Sequence, residues 1–407
     1  MPGTPCSLVL DLGTSSMKCG VVDAAGGVRC SEAAAFELQR DGPACEVDFE
    51  RCADVALAAL KRVADQAPAG CEIEAVLLTS QAQTFVPVDE SFSPLCPGIV
   101  WLDSRADAEA DRLAERLPDF ARTAGFQRPM PSLYVSHLLR LKTQSPGLFT
   151  RAAAFPLIGT YIGRRLTGRA YTDSCNFGMG GVYDIRRRTL NGRVLDLLGL
   201  TPGHFPEVAD AAVLSYPLRP EVAAELGVGR VPVCFCGNDQ SASAVGAGLE
   251  SVGDVSVNFG TVLAAYTLLP EPPDDLGPDE IAGISPVDGL YFLLTYDPET
   301  GAVVDRARAG GESYEAFFGG YGSGGEADRA IRHCLERFRF HLSRIERAAR
   351  PERVRVSGGM TQSAAWLELL RRHCDHEVVC VNRRDAALAG AARIYAMREQ
   401  KREARDE

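Results

Sequence analysis

The chain has 407 residues, of which 43 are basic and 54 acidic, for a formal net charge of −11. That length exceeds what one hydrophobic core serves, so two domains are expected. The acidic balance excludes nonspecific binding to nucleic acid or an anionic membrane, while leaving room for a local basic pocket around phosphates. No apolar run approaches the ~20 residues of a membrane span, and the first residues carry no basic leader. The 13 cysteines are scattered without CxxC pairs, so a cytoplasmic enzyme with reduced thiols is expected, its partners small molecules.

In chain order, LVLDLGTSSMKCGVV (Leu8 to Val22) reads as strand, tight turn, strand, with Asp11 two residues before Gly13. Val28 to Leu38 supplies a third strand, Phe49 to Gln66 a helix capped by Asp48, and Ile73 to Thr79 a fourth strand. Strand, strand, strand, helix, strand makes a mixed sheet with crossover helices, an α/β arrangement. Pro118 to Ala152 is mostly helical, with a stop at Pro146 and Gly147, and Tyr161 to Thr167 is another helix. Val231 to Cys236 is a buried strand that delivers Gly237, Asn238 and Asp239 to its end, where a small-residue helix runs from Gln240 to Gly248. The first domain is expected to span residues 1–249 and the second 250–407.

VSVNFGTVLAAY (Val255 to Tyr266) repeats the opening device, with Asn258 where the first copy has Asp11. Glycine lets backbone N–H groups approach a ligand, and threonine adds a hydroxyl donor, which together suit an oxyanion such as phosphate. Two related domains facing a nucleotide in the cleft between them follow from this duplication. Glu271 to Asp279 is a loop by composition and Gly319 to Gly325 a flexible connector. Ala327 to Ala348 is a long amphipathic helix, Arg353 to Val356 a strand followed by the Gly358-Gly359 turn, Ser363 to His373 a helix, and the last residues a solvated helix end. Walker A is absent, so a nucleotide would be held by hairpin turns.

Asp239 sits where ligand crevices form in α/β sheets. A carboxylate there can take the proton of a substrate hydroxyl while its oxygen attacks phosphorus. The competing reading is that Asp239 is only a helix cap. Trp101 divides between core packing and a substrate surface with a donor. His373 and His376 read as a charged helix face in preference to metal ligands.

The stretches LDLGTSSMK from Leu10, TSQAQTFVPVD from Thr79, IVWLDSRA from Ile99, RRLTGRAYTD from Arg164, GNDQSASAVGAG from Gly237, FGTV from Phe259, SGGMTQSAAW from Ser357 and DAALAGAA from Asp385 together resemble the FGGY carbohydrate kinase family. The resemblance implies two actin-like (ribonuclease H-like) domains with ATP between them and closure that excludes water. It also implies phosphorylation of a small sugar, polyol or sugar acid. Asp239 would be the general base, and Asp11 would organise Mg2+ through water. Gly13, Thr14, Ser15 and Lys18 with Gly260 and Thr261 would surround the phosphates. Gly311, Gly358, Gly359 and Ser363 would lie against adenosine, and Gln81, Ala82, Gln83, Trp101, Asp239 and Gln240 would meet the carbohydrate. Ala82-Gln83 replaces the Met-His typical of xylulose kinases and the Arg-Glu of glycerol kinases, while GTSSMK leans toward pentulose and gluconate kinases. Thr160 stands where the family usually has Asp. The family has several tens more residues between Gly311 and Arg329, which motivates the alternative of a nucleotide- or sugar-binding sensor. An Hsp70-like ATPase fits GNDQSASAVGAG and Trp101-Asp103-Arg105 less well. A homodimer is left open.

Overall fold

The computed structural model describes residues 3–260, 262–308, 311–381 and 385–406. Strands β1 (Thr4–Leu12) and β2 (Ser16–Asp23) form the first hairpin, with Asp11 paired to Lys18 across it. Both faces of β1 are covered, and its unbroken apolar run is buried accordingly. Strand β3 (Val28–Ala35) adds antiparallel to β2. The expected third strand breaks at Ala35, and Leu38–Asp41 joins a separate three-stranded sheet. Helix α1 (Phe49–Asp65) starts where the Asp48 carboxylate accepts the Arg51 N–H, and it buries Phe49, Cys52, Ala56, Leu60 and Val63 at helical spacing. It returns the chain to β4 (Cys71–Ser80), parallel to β1.

After a largely helical excursion come β5 (Ser215–Pro217), β6 (Pro232–Asn238) parallel to β4, and helix α2 (Asp239–Gly246). The first sheet has the order β5-β6-β4-β1-β2-β3. Within the excursion Pro146 does more than stop a helix. It opens the next one, Pro146–Arg151, at a position where its missing N–H costs nothing.

The second sheet is built from β7 (Val255–Phe259), β8 (Leu263–Leu269), β9 (Glu280–Ile284) and β10 (Tyr291–Asp297), then helix α3 (Gly325–Ala348) and β11 (Arg353–Ser357), and after α4 (Ala364–Arg372) β12 (Glu377–Cys380). Its order is β9-β10-β8-β7-β11-β12, with β7, β8 and β10 antiparallel in sequence and β11 and β12 parallel to β7. An antiparallel meander, a helix and two parallel strands therefore occur twice. Each copy is an actin-like, ribonuclease H-like domain, and each buries its own apolar cluster. The Gly319–Gly325 connector is an ordered turn: the buried Asp328 carboxylate accepts the N–H groups of Gly322 at 2.8 Å and Gly324 at 3.0 Å.

The chain divides into one unit of Met1–Gly246, Gly283–Asp288 and Asp385–Glu407, and another of Ala247–Ala282 and Gly289–Arg384. The expected second domain of 250–407 therefore loses its last helix, α5 (Ala386–Asp406), to the first unit. The cause is close backbone packing of α5 on α2. A Cβ on Gly390 would lie 1.8 Å from the Ala242 carbonyl oxygen, and one on Gly246 1.9 Å from that of Ala386. Leu388, Ala389, Ala391, Ala392 and Ile394 are buried along the same helix. Among the described residues no helix is long and apolar enough to cross a membrane.

Candidate active site

Parallel strands β1, β4 and β6 end at one edge of the first sheet, and the chemistry-bearing residues gather there. Asp11 pairs in register with Thr79, and Asn238 with Ser80. The cap of α2 is Asn238, whose Oδ1 accepts the Ser241 N–H at 2.8 Å. Capping of that first-turn amide therefore does not account for Asp239, which is the first helical residue and whose carboxylate accepts the adjacent Gln240 N–H at 2.8 Å. Burial pushes the Asp239 carboxyl up to about 6, against the pull of the helix-start amides. Asp11 is pushed up to about 7, first by burial and then by the negative charge of Asp239, with Lys18 opposing. Its Oδ1 is buried without a hydrogen-bond partner. Two carboxylates close enough to repel are a site that a cation or a proton relieves.

The Gly13 turn is braced by side chains. Gln81 donates from Nε2 to the Gly13 carbonyl at 3.0 Å and accepts the Thr84 hydroxyl at 3.0 Å. It is only 3% exposed, and each end of its amide already braces the turn. Trp101 is 40% exposed, which removes the core-packing reading. Its indole N–H donates to Thr14 Oγ1 at 3.0 Å and its backbone N–H to Thr84 Oγ1 at 3.1 Å. The Trp101 loop is fixed from behind by buried Asp103, which accepts the Cys45 N–H and the Arg105 guanidinium, both at 2.9 Å, while Arg105 also pairs with Glu46 at 2.6 Å. Gln83 has φ of 70° and a buried amide oxygen with no partner. Ala82 is half-buried beside it, Ser15 and Gln240 are exposed, and Lys18 lies 3.7 Å from Asp385. Thr84 and Asp385 carry no local signal as single residues, although both lie in the stretches TSQAQTFVPVD and DAALAGAA.

In the second unit Gly260 follows β7, and Thr261 lies outside the described residues. Gly358 has φ of 101°, and a Cβ there would sit 2.4 Å from the Phe259 carbonyl oxygen and 2.5 Å from Asn258 Oδ1. Gly359 borders the Tyr314 ring, over which the Arg308 guanidinium lies at 3.9 Å. Gly311 is exposed with φ of 80°. Ser363 is fully buried, and its hydroxyl caps α4 by accepting the Trp366 N–H at 3.1 Å. It supports the turn and presents no hydroxyl to adenosine, which corrects the sequence expectation. His373 contacts the Leu369 carbonyl oxygen and His376 pairs with Glu346, so the two histidines serve separate local contacts.

Residues 6–246 match the N-terminal domain of the FGGY family of carbohydrate kinases. The chain belongs to that family. It is 26% identical over 253 residues to xylulose kinase of Escherichia coli, covering 62% of this chain and 52% of that protein. It is 24% identical over 277 residues to gluconokinase of Bacillus subtilis, covering 67% and 53%. The chain thus spans about half the length of the curated relatives it matches. Xylulose kinase from Rhodospirillum rubrum has the same fold, with a TM-score of 0.89 at 21% identity, covering 97% of this chain and 90% of that one. The family match ends at residue 246, where the first unit also breaks.

Proposed function

We propose that this chain transfers the γ-phosphoryl group of ATP to a hydroxyl of a small neutral sugar or polyol, with a pentulose favoured. The observation that carries the reading is the pair Asp239 and Asp11, both raised by burial at the ends of β6 and β1, the two strands that flank β4, with the cap of α2 supplied by Asn238. Asp239 takes the substrate proton as the hydroxyl oxygen forms its bond to phosphorus and the bond to the departing ADP oxygen breaks. A base near neutrality is matched to that task. Asp11, with an unpartnered Oδ1 and a repelling neighbour, fits the hydration shell of Mg2+, which when bound neutralises developing phosphate charge. In the first unit Gly13, Thr14, Ser15 and Lys18 would offer donors to phosphate oxygens, and in the second, taken by itself, Gly260, Gly358 and Gly359 would offer backbone donors to a nucleotide. Gly311 would border its adenosine.

Preference for a neutral substrate follows from the groups left to read it. The unpartnered Gln83 oxygen is an acceptor and calls for a hydroxyl donor, and Ala82, Trp101 and Gln240 would complete the carbohydrate contacts. Arg105, a cation that a sugar acid could use, is engaged by Asp103 and Glu46, and Lys18 is assigned to the phosphates. Purified protein with ATP and Mg2+ is tested against ketopentoses, polyols and aldonates for ADP release. Turnover with a neutral polyhydroxy compound supports the reading. Turnover confined to aldonates overturns the substrate class, and no stimulated ADP release with any member overturns the kinase.

A further inference from the structure

We propose that Thr79 and Asp173 are positioning residues that aim Asp239 by holding a bulge in β6; the inference rests on the reading of Asp239 as the base. Strand β6 pairs regularly with β4 as far as Phe235 opposite Leu78, and pairing resumes with Asn238 opposite Ser80. Three steps on β6 therefore face two on β4, which is one extra residue. Gly237, inside the bulge, has φ of 86°. Both of its backbone groups are claimed by side chains: the Thr79 hydroxyl donates to its carbonyl at 2.9 Å, and Asp173 Oδ2 accepts its N–H at 3.1 Å.

Asp173 is held in turn. Its Oδ1 accepts the Asn176 N–H at 2.9 Å, and Asn176 Nδ2 donates to the Ser80 carbonyl at 2.9 Å and hydroxyl at 2.8 Å. Thr79, Asp173 and Asn176 are all buried, at 1%, 1% and 3% exposure. One short segment thus ties the strand end that leads into Gln81 to the one that leads into Asp239. A side chain at Gly237 would be strained, because φ is 86° and its Cβ would lie 3.0 Å from Pro286 and 3.3 Å from the Cys175 sulfur. Rotation of the Gly237 peptide swings Asp239 two residues on, and a misplacement of about 1 Å costs on the order of a hundredfold in rate.

The test compares Thr79→Val, which keeps the shape and loses the hydroxyl, with Thr79→Ser, which keeps the hydroxyl. In the valine variant kcat is expected to fall by about ten- to a hundredfold with KM for ATP within about twofold. Hydrogen exchange of the 236–241 backbone should quicken in the valine variant and not in the serine one, and Asp173→Asn should copy the valine effect because its amide sets a donor against one of the two N–H groups the carboxylate accepts, those of Gly237 and Asn176. Serine should restore kcat and slow exchange. Wild-type kcat in the valine variant, an equal loss in serine, or unchanged exchange would overturn the inference. Should wild-type protein turn over no substrate, the kinase reading falls by itself, and exchange still decides whether the hydroxyl holds the bulge.

Discussion

Replacing Asp239 by Asn should make the protein more stable and catalytically silent at once. From the ordinary carboxylate value of 3.8 to about 6, at about 1.4 kcal/mol per tenfold, holding the ionised group in place costs up to about 3 kcal/mol. Asp239 is only partly buried, so screening by water reduces the expected gain to about 1–2 kcal/mol. Because the folded-state value is raised, the folded protein binds more protons than the unfolded chain between pH 3.8 and about 6. The cost is absent below that window, grows through it, and is complete above it. Asn keeps an acceptor for the Gln240 N–H and has no charge to desolvate, and it also relieves Asp11 of a repelling neighbour. Thermal melts of both proteins at pH 4, 6 and 8 should show no difference at the first and a rise of roughly 1–3 °C at the last. Turnover should fall by about 10²–10⁴ with ATP binding kept, and wild-type kcat/KM should lose activity as pH drops through about 6. A variant less stable than wild type at pH 8, or a gain that does not vary with pH, refutes the electrostatic argument; near-normal turnover refutes the base.

Three further outcomes follow from packing. Gly390→Ala forces a methyl against the Ala242 carbonyl at 1.8 Å, so α5 should loosen at a cost of about 1–3 kcal/mol, seen as faster tryptic cleavage near Arg393 and Arg398. Gly358→Ala combines φ of 101° with a 2.4 Å approach to Phe259; calorimetry should show weakened ATP binding and a stability loss of about 1–3 kcal/mol. Of the two tryptophans, Trp101 is 40% exposed and Trp366 is buried, so acrylamide should quench one emission component, and a bound carbohydrate should protect it.

The duplication was legible because strand periodicity and the Gly-Thr turns are local. Asp48, Asp239 and the Gly358-Gly359 turn could be placed for the same reason. Contacts made at long range were not legible. Nothing near Gly390 in the chain says that its missing side chain admits α2, so the C-terminal helix was assigned to the wrong unit. Gln81 and Ser363 have the right chemistry for ligands, yet both are buried and hydrogen-bonded to neighbours. Only the fold reveals that commitment, and likewise the bulge that Thr79 and Asp173 hold, because the pairing register of β6 lies in β4.

The two units show how one device came to serve different ends. Asp11 pairs with Thr79 on the neighbouring parallel strand, and Asn258 pairs with Ser357 in the equivalent place. The next two residues are Ser80-Gln81 in the first unit and Gly358-Gly359 in the second. In the first, the Gln81 amide covers the Gly13 carbonyl and fixes a turn beside two carboxylates. In the second, glycine is required because the backbone passes within 2.4 Å of where a Cβ would stand from the Phe259 carbonyl. Side chains at one strand end favour proton and cation chemistry, while bare backbone at the other favours close approach of a large flat or anionic ligand. The presence of Asn258 where the first unit has Asp11 is consistent with that division, since a carboxylate there would repel an anion approaching the bare turn.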